Sequence, residues 1–121
     1  ADKLGAKKVV VHSGSCAKIT RAEALYLAKQ TLAKAVALRQ SEGLKAIICP
    51  ETMGKINQLG TLDEVLELCT LDDEILPCVD FGHLNARTHG EIKTIDDYSA
   101  TKSRIHSDTT GFHRCTYISQ R

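Results

Sequence analysis

The sequence is poor in aromatic residues and proline, with no tryptophan, two phenylalanines, three tyrosines and two prolines among 121 residues. Its five cysteines are an odd number and include no C-x-x-C pair, which excludes a simple disulfide framework and a zinc knuckle. No run reaches the roughly 18 apolar residues of a membrane-spanning helix, and the first residues lack the basic-then-apolar pattern of a signal peptide. We therefore expect a reduced, cytoplasmic protein with no membrane partner.

The sequence also has no large excess of positive or negative charge. Sixteen Lys and Arg residues against fifteen Asp and Glu residues leave a formal net charge of +1. No general electrostatic field therefore favours nucleic acid or an anionic membrane, and any such partner must be recognised locally. The 42% apolar and 26% charged residues are typical of a globular protein of one modest core.

Apolar runs and helical patterns alternate along the first two thirds of the chain. The runs at residues 7–12, 44–49 and 75–81 predict strands. Between them, T-R-A-E and T-L-D-E each resemble a capping box, which predicts helices at residues 20–41 and from Thr61 to about Cys69. Continuously apolar strands that alternate with helices indicate an α/β fold with a parallel sheet.

The pattern fails beyond Tyr98. Residues 99–121 are rich in Ser, Thr, Arg and His, and only Ile105 suggests the start of a fourth strand. We therefore predict an α/β domain at residues 1–98, followed by an unassigned tail at residues 99–121.

Potential metal ligands follow each of the three predicted strands. His12, Glu51 and Asp80 stand at the strand ends, and His83 follows three residues later, after Gly82, which could turn the chain. Parallel strands deliver these side chains to one edge of the sheet, and mixed His and carboxylate ligands suit Zn²⁺ or Mn²⁺. Glu51 is the natural candidate to bridge two ions. The alternative for each residue alone is a surface histidine or a helix-capping carboxylate.

Three segments resemble the endonuclease IV family: P-E-T-M-G-K at residues 50–55, Q-L-G-T-L-D-E at 58–64 and P-C-V-D-F-G-H-L-N-A-R at 77–87. The opening L-G-A-K-K-V-V-V-H-S-G-S at residues 4–15 is similar to the fourth strand of that family. The resemblance covers residues 1–98. It implies a (β/α)₈ TIM barrel, of which this chain would hold about three βα units with parallel strands.

The family resemblance also implies a trinuclear zinc site. On this basis, His12 would bind the first zinc, Glu51 would bridge two zincs, Asp80 would bind the second and His83 the third; Glu51 and Asp80 are the catalytic candidates. Ser13 stands where the family usually has proline. A full barrel takes about 250 residues, so further family ligands have no matched position here, and we expect fewer than three zincs. A truncated or frame-shifted reading of a longer gene would explain this.

The resemblance implies zinc-dependent phosphodiester hydrolysis at abasic sites in DNA. Four residues in the loops after the second and third strands could contact DNA phosphates, or could simply be solvated: Lys55, Asn57, Gln58 and Arg87. One alternative is a xylose-isomerase-like sugar isomerase or epimerase, which uses one or two metal ions. The other is a non-catalytic barrel fragment that associates with itself through exposed strand edges. Whether the chain alone is an enzyme is left open by these patterns.

Overall fold

A computed structural model of the chain describes residues 1–108 and 116–118. After a short 3₁₀ turn at Asp2–Leu4, strands and helices alternate along the described chain. In order, the elements are β1 (Lys8–Val11), α1 (Arg21–Ser41), β2 (Ile47–Pro50), α2 (Leu62–Cys69), β3 (Cys78–Asp80), α3 (Phe81–Arg87), α4 (Ile95–Asp108) and β4 (Thr116–Ile118).

The described strands are parallel and lie side by side in sequence order. β1 pairs with β2, β3 pairs with β4, and single parallel bridges join Ile48 to Ile75 and Glu51 to Cys78 between the two pairs. Parallel strands connected by helices form a mixed α/β structure, consistent with a partial (β/α)₈ barrel of about three βα units. The predicted fold class is confirmed.

Local capping signals explain where the first two helices begin. The Thr20 hydroxyl accepts a hydrogen bond from the Glu23 N–H at the start of α1, and Thr61 and Glu64 form a reciprocal capping box at the start of α2. The buried face of α1 consists of small and branched residues at helical spacing: Ala24, Ala28, Leu32 and Val36. This face packs against Leu59, Leu68 and Ile75 in the main core cluster.

The third strand is shorter than the apolar run predicts. Regular pairing covers only Cys78–Asp80, because Pro77 has no N–H for a strand ladder and Asp80 already caps the next helix. Phe81 is the first residue of α3 rather than the last of a strand. Gly82 lies inside this helix, so the first turn of α3, rather than a separate turn at Gly82, brings Asp80 and His83 together.

Ile105 lies in α4, so the expectation that it begins a strand is wrong. A T-x-x-D signal starts this helix: the Thr94 hydroxyl accepts from the Asp97 N–H at 3.2 Å, and the Asp97 carboxylate accepts from the Thr94 N–H at 2.9 Å. Ile105 is fully buried in a second cluster with Leu62, Leu66, Val79, Phe81 and Leu84. α4 crosses position 98. The division at that position stays a prediction, and residues 109–115 and 119–121 lie outside the described part.

An apolar groove of about 590 Å³ lies between β1 and α1. Its lining includes Val9, Val11, Ala28, Leu32, Ala35 and Ile48, and the side chains of Leu38 and Leu44 at its rim are exposed.

None of the helices described is both long enough and apolar enough to span a bilayer.

Candidate metal site

Glu51 follows β2 directly and lies between the ends of two neighbouring strands. Its N–H donates to the Val11 carbonyl at the end of β1, and its backbone bridges to Cys78 at the start of β3. The side chain is buried and points both oxygens at histidines. Oε2 lies 3.2 Å from His12 Nε2, and Oε1 lies 3.7 Å from His83 Nδ1. The carboxylate therefore has imidazole groups on two sides.

Thr52 ties this strand end to the next one. Its N–H donates to the Cys78 carbonyl at 3.0 Å, and its hydroxyl donates to the Asp80 carbonyl at 3.2 Å and accepts from the Asp80 N–H at 2.9 Å. Thr52 is fully buried. The sequence patterns did not single out this residue, although its place inside P-E-T-M-G was a usable signal.

Asp80 and His83 are brought together by the first turn of α3. Asp80 Oδ1 caps the helix by accepting from the His83 N–H at 2.9 Å, and Oδ2 lies 3.7 Å from His83 Nδ1. Residues three apart point in different directions along a strand, but the helix start brings them to the same side. Asp80 is thus both a helix cap and a member of the cluster.

The hydrogen bond of His83 defines its tautomer. Nδ1 lies 2.8 Å from the Thr52 carbonyl, which can only accept, so Nδ1 carries the proton. This leaves the Nε2 lone pair free for a metal. A histidine that donates from one nitrogen to a backbone carbonyl while its other nitrogen binds the ion is the usual arrangement in metal sites.

The structure gathers three of the four predicted ligands tightly. Ligand atoms of Glu51, Asp80 and His83 all lie within 4.8 Å of one another. His12 stands outside this group, contacts Glu51, and has a side chain that is 63% exposed. The four residues therefore form a compact trio with a fourth, more accessible member on the β1 side.

The donor set fits a divalent cation. Glu51 and Asp80 are both buried, and two carboxylates in low dielectric are expensive unless a cation lies between them. The neighbouring groups described here are imidazoles, which are neutral ligands when they bind a metal. Two carboxylates with imidazole nitrogen suit ions of the zinc and manganese type. The trio could therefore hold one such ion, and His12 could share Glu51 with a second.

Cys78 lies beside these carboxylates but is a core residue. Burial raises the pKa of its thiol to about 12, and the charge of Glu51 adds to the effect. A thiol that stays protonated is a poor metal ligand. Cys78 instead packs with Cys49 and Leu76 in a small buried cluster.

Arg87 holds the loop that follows the site, here called the site loop (residues 53–58). Its Nη1 donates to the carbonyls of Met53 at 2.9 Å and Lys55 at 3.0 Å, and Nη2 donates to that of Ile56 at 3.3 Å. The sequence left two alternatives for Arg87, contact with DNA phosphates or simple solvation. The structure shows its guanidinium bonded to the loop backbone, and Lys55 and Asn57 are exposed.

The chain belongs to the xylose isomerase-like TIM barrel family, whose model matches residues 1–117. A relative from Methanocaldococcus jannaschii, described as "Uncharacterized protein MJ0133", is 34% identical over 94 residues. The match covers 78% of this chain and 33% of that relative, so the chain spans about a third of the relative's length. No solved structure matches the chain.

Proposed function

We propose that this chain carries the central part of a zinc-dependent phosphodiesterase site that acts on abasic sites in DNA, in the endonuclease IV branch of its family. The observation that carries the proposal is the position of the Glu51 carboxylate, with His12 Nε2 3.2 Å from Oε2 and the Asp80 carboxylate gathered with His83 beside Oε1. A carboxylate with ligand groups on both oxygens can bridge two ions, and paired ions are typical of phosphodiester hydrolysis.

Each residue has a distinct part in this proposal. Glu51 would bridge two ions, with His12 completing one side and Asp80 the other, while His83 would offer Nε2 to an ion at the rim. Bound zinc supplies a water of lowered pKa and positive charge that stabilises the leaving oxygen. The protein's own contribution is positioning: Thr52 fixes the backbone of Asp80 and the ring of His83, and burial excludes water from the carboxylates.

DNA as the partner is supported by the surface next to the site. Lys55 and Asn57 are exposed on the site loop, where an ammonium and an amide can contact backbone phosphates. Because the net charge is only +1, this contact must be local. We therefore expect weak affinity for intact duplex DNA and cleavage only where a base is missing.

The test measures metal and cleavage on one preparation. The chain is purified, stripped with a chelator, reloaded with zinc, sized, and incubated with a labelled duplex that carries one abasic-site analogue. We expect at least one zinc per folded chain and a single cut at the analogue, with both lost in Glu51→Gln. Folded, zinc-loaded chain that leaves the duplex intact, or that cuts equally well with Gln at 51, would contradict the proposal.

A sugar isomerase or epimerase is the second candidate, because the matched family is described as xylose isomerase-like. The tight trio of Glu51, Asp80 and His83 is enough for the single ion that such an enzyme can use. The two functions differ in metal number and in the effect of His12. If the protein is an isomerase, the His12→Ala variant should keep its metal, whereas a bridged nuclease site should lose zinc.

The third hypothesis from the sequence is a non-catalytic barrel fragment that associates with itself. The apolar groove beside β1 supports it, since apolar surface of this kind favours association. Sedimentation across a range of concentrations tests this reading on the same preparation. A concentration-dependent mass without bound zinc would favour it over both enzymes.

A further inference from the structure

The site loop is held almost entirely through its backbone. Besides the bonds already described, both terminal nitrogens of Arg87 lie 3.3 Å from the Gln58 carbonyl. A single guanidinium thus contacts four carbonyls of a six-residue loop. Such a planar fork of donors fixes direction as well as distance, which a single ammonium cannot do.

A second guanidinium grips the same loop from α1. Arg21 donates to the Ile56 carbonyl at 2.8 Å and to the Gln58 carbonyl at 3.3 Å, while its other bonds go to Glu64 at 2.7 Å. The Glu64 carboxylate also accepts from the Gly60 and Thr61 N–H groups at the start of α2. Helices α1 and α3 therefore both hold this loop, and Glu64 links α2 to the same arginine.

The loop in turn touches the ring of His83. A Cβ placed on Gly54 would lie 3.4 Å from His83 Cδ2, so the loop backbone packs against the imidazole. His83 and Arg87 are four residues apart on α3 and lie on the same face of the helix. His83 donates to the Thr52 carbonyl and Arg87 to that of Met53, so adjacent peptide groups are held by one helix face.

We infer that Arg87 is a positioning residue for His83: by holding the site loop against the imidazole, it fixes the ring with Nδ1 on the Thr52 carbonyl, which leaves the Nε2 lone pair free to bind a metal. This inference rests on the proposed metal site. It assigns Arg87 no contact with DNA. Burial lowers the pKa of Arg87, and the charge of nearby Arg21 lowers it further, so the guanidinium occupies an electrostatically unfavourable place. Its carbonyl contacts compensate for that cost.

The experiment compares the Arg87→Met variant with a matched arginine elsewhere. Arg39 also donates to a backbone carbonyl, that of Ala46 at 2.8 Å, and pairs with Glu74, but it lies at the opposite end of β2. Both variants lose a guanidinium that holds backbone. The readouts are the thermal melt, the tautomer of His83 from its ring ¹⁵N shifts in metal-free protein, and the dissociation constant for zinc.

We expect Arg87→Met to melt lower, to show a mixture of His83 tautomers, and to bind zinc about 10-fold more weakly. Arg39→Met should melt lower with the His83 tautomer and zinc affinity unchanged. If Arg87→Met does not fold, Arg87→Lys replaces it, and a mixed tautomer is again the expected result. A folded Arg87 variant with the wild-type tautomer overturns the inference. Wild-type protein that binds no zinc yet shows this tautomer dependence overturns only the proposed function.

Discussion

The Thr52 hydroxyl and the backbone of Asp80 exchange two hydrogen bonds, one in each direction, in the fully buried space between β2 and β3. Regular ladder pairing does not join these two strands; two single bridges do. Thr52 thus replaces part of a ladder at the point where the candidate metal ligands lie. The stability of the sheet and the geometry of the site depend on the same side chain.

Replacing Thr52 by valine should therefore destabilise the fold and weaken the site together. Valine keeps the volume but leaves the buried Asp80 N–H without a partner, which costs about 1–3 kcal/mol. Urea denaturation of the metal-free chain measures the loss, and zinc titration measures the affinity. Thr52→Ser keeps the hydroxyl and should retain the zinc affinity. A Val variant as stable as wild type would show that the hydroxyl is dispensable.

Removing either of two proposed ligands, Glu51 or His83, should lower the amount of bound zinc. Glu51→Ala and His83→Ala should each lower the zinc content measured by elemental analysis, because Glu51 lies at the centre of the cluster and His83 is held by Thr52. The control is His89→Asn. His89 is exposed with φ of 55°, a conformation that asparagine tolerates, so this variant should keep its zinc. Unchanged zinc in both ligand variants would remove the site assignment.

The stability of the fold should decline in acid through Glu64. Burial by itself raises the pKa of Glu64, but hydrogen bonds from Arg21, Gly60 and Thr61 outweigh it and lower the pKa from 4.5 to about 2. The charged form therefore stabilises the fold above about pH 4.5, and this contribution is lost as the pH falls towards 2. It amounts to about 2 kcal/mol once screening at Arg21, which is 39% exposed, is allowed for.

Glu64→Gln isolates this contribution. Urea midpoints from pH 7 to pH 2.5 should fall for wild type and fall less for the variant, so that the two curves approach each other in acid. Glu67 is an exposed residue of the same helix that pairs with Lys29 on α1, and it gives the control: Glu67→Gln should follow wild type at every pH. Parallel curves for wild type and Glu64→Gln would contradict the assignment.

Shortening Ile105 tests the place of α4 in the core. Ile105→Ala should lower the free energy of unfolding by about 2–4 kcal/mol, because it leaves a cavity beside Val79 and Phe81. Ile95→Ala, at an exposed position of the same helix, should cost less than 1 kcal/mol. Equal losses at the two positions would mean that α4 does not pack as described.

The sequence was sufficient for features that depend on local signals. The helix starts at Thr20 and Thr61 follow from capping residues. The meeting of Glu51 and Asp80 follows from parallel strands that end at one edge, whereas His83 joins them through the first turn of α3. The sequence does not predict α3, because this helix of seven residues begins directly after an apolar strand. No loop and no change in the spacing of apolar residues marks its first residue. The sequence predicts Asp80 as a metal ligand, and the structure shows that its carboxylate also caps α3.

The role of Arg87 could not be predicted, because its partners are carbonyl groups. Every residue has a carbonyl, so no residue type in the sequence identifies the partner of a guanidinium that binds backbone. The same holds for Thr52, whose hydroxyl meets the backbone of a residue 28 positions away. Only the fold brings these groups within reach of each other.

The site loop is held through its backbone, so its exposed positions can be substituted without loss of these contacts. Arg21 and Arg87 hold the loop by hydrogen bonds to backbone carbonyls. The side chains at positions 55, 56 and 57 are exposed and take no part in these bonds. Substitutions there can alter what the surface recognises while the geometry behind it is preserved. New binding preferences can thus arise on this loop through single substitutions that leave the arrangement of Glu51, Asp80 and His83 unchanged.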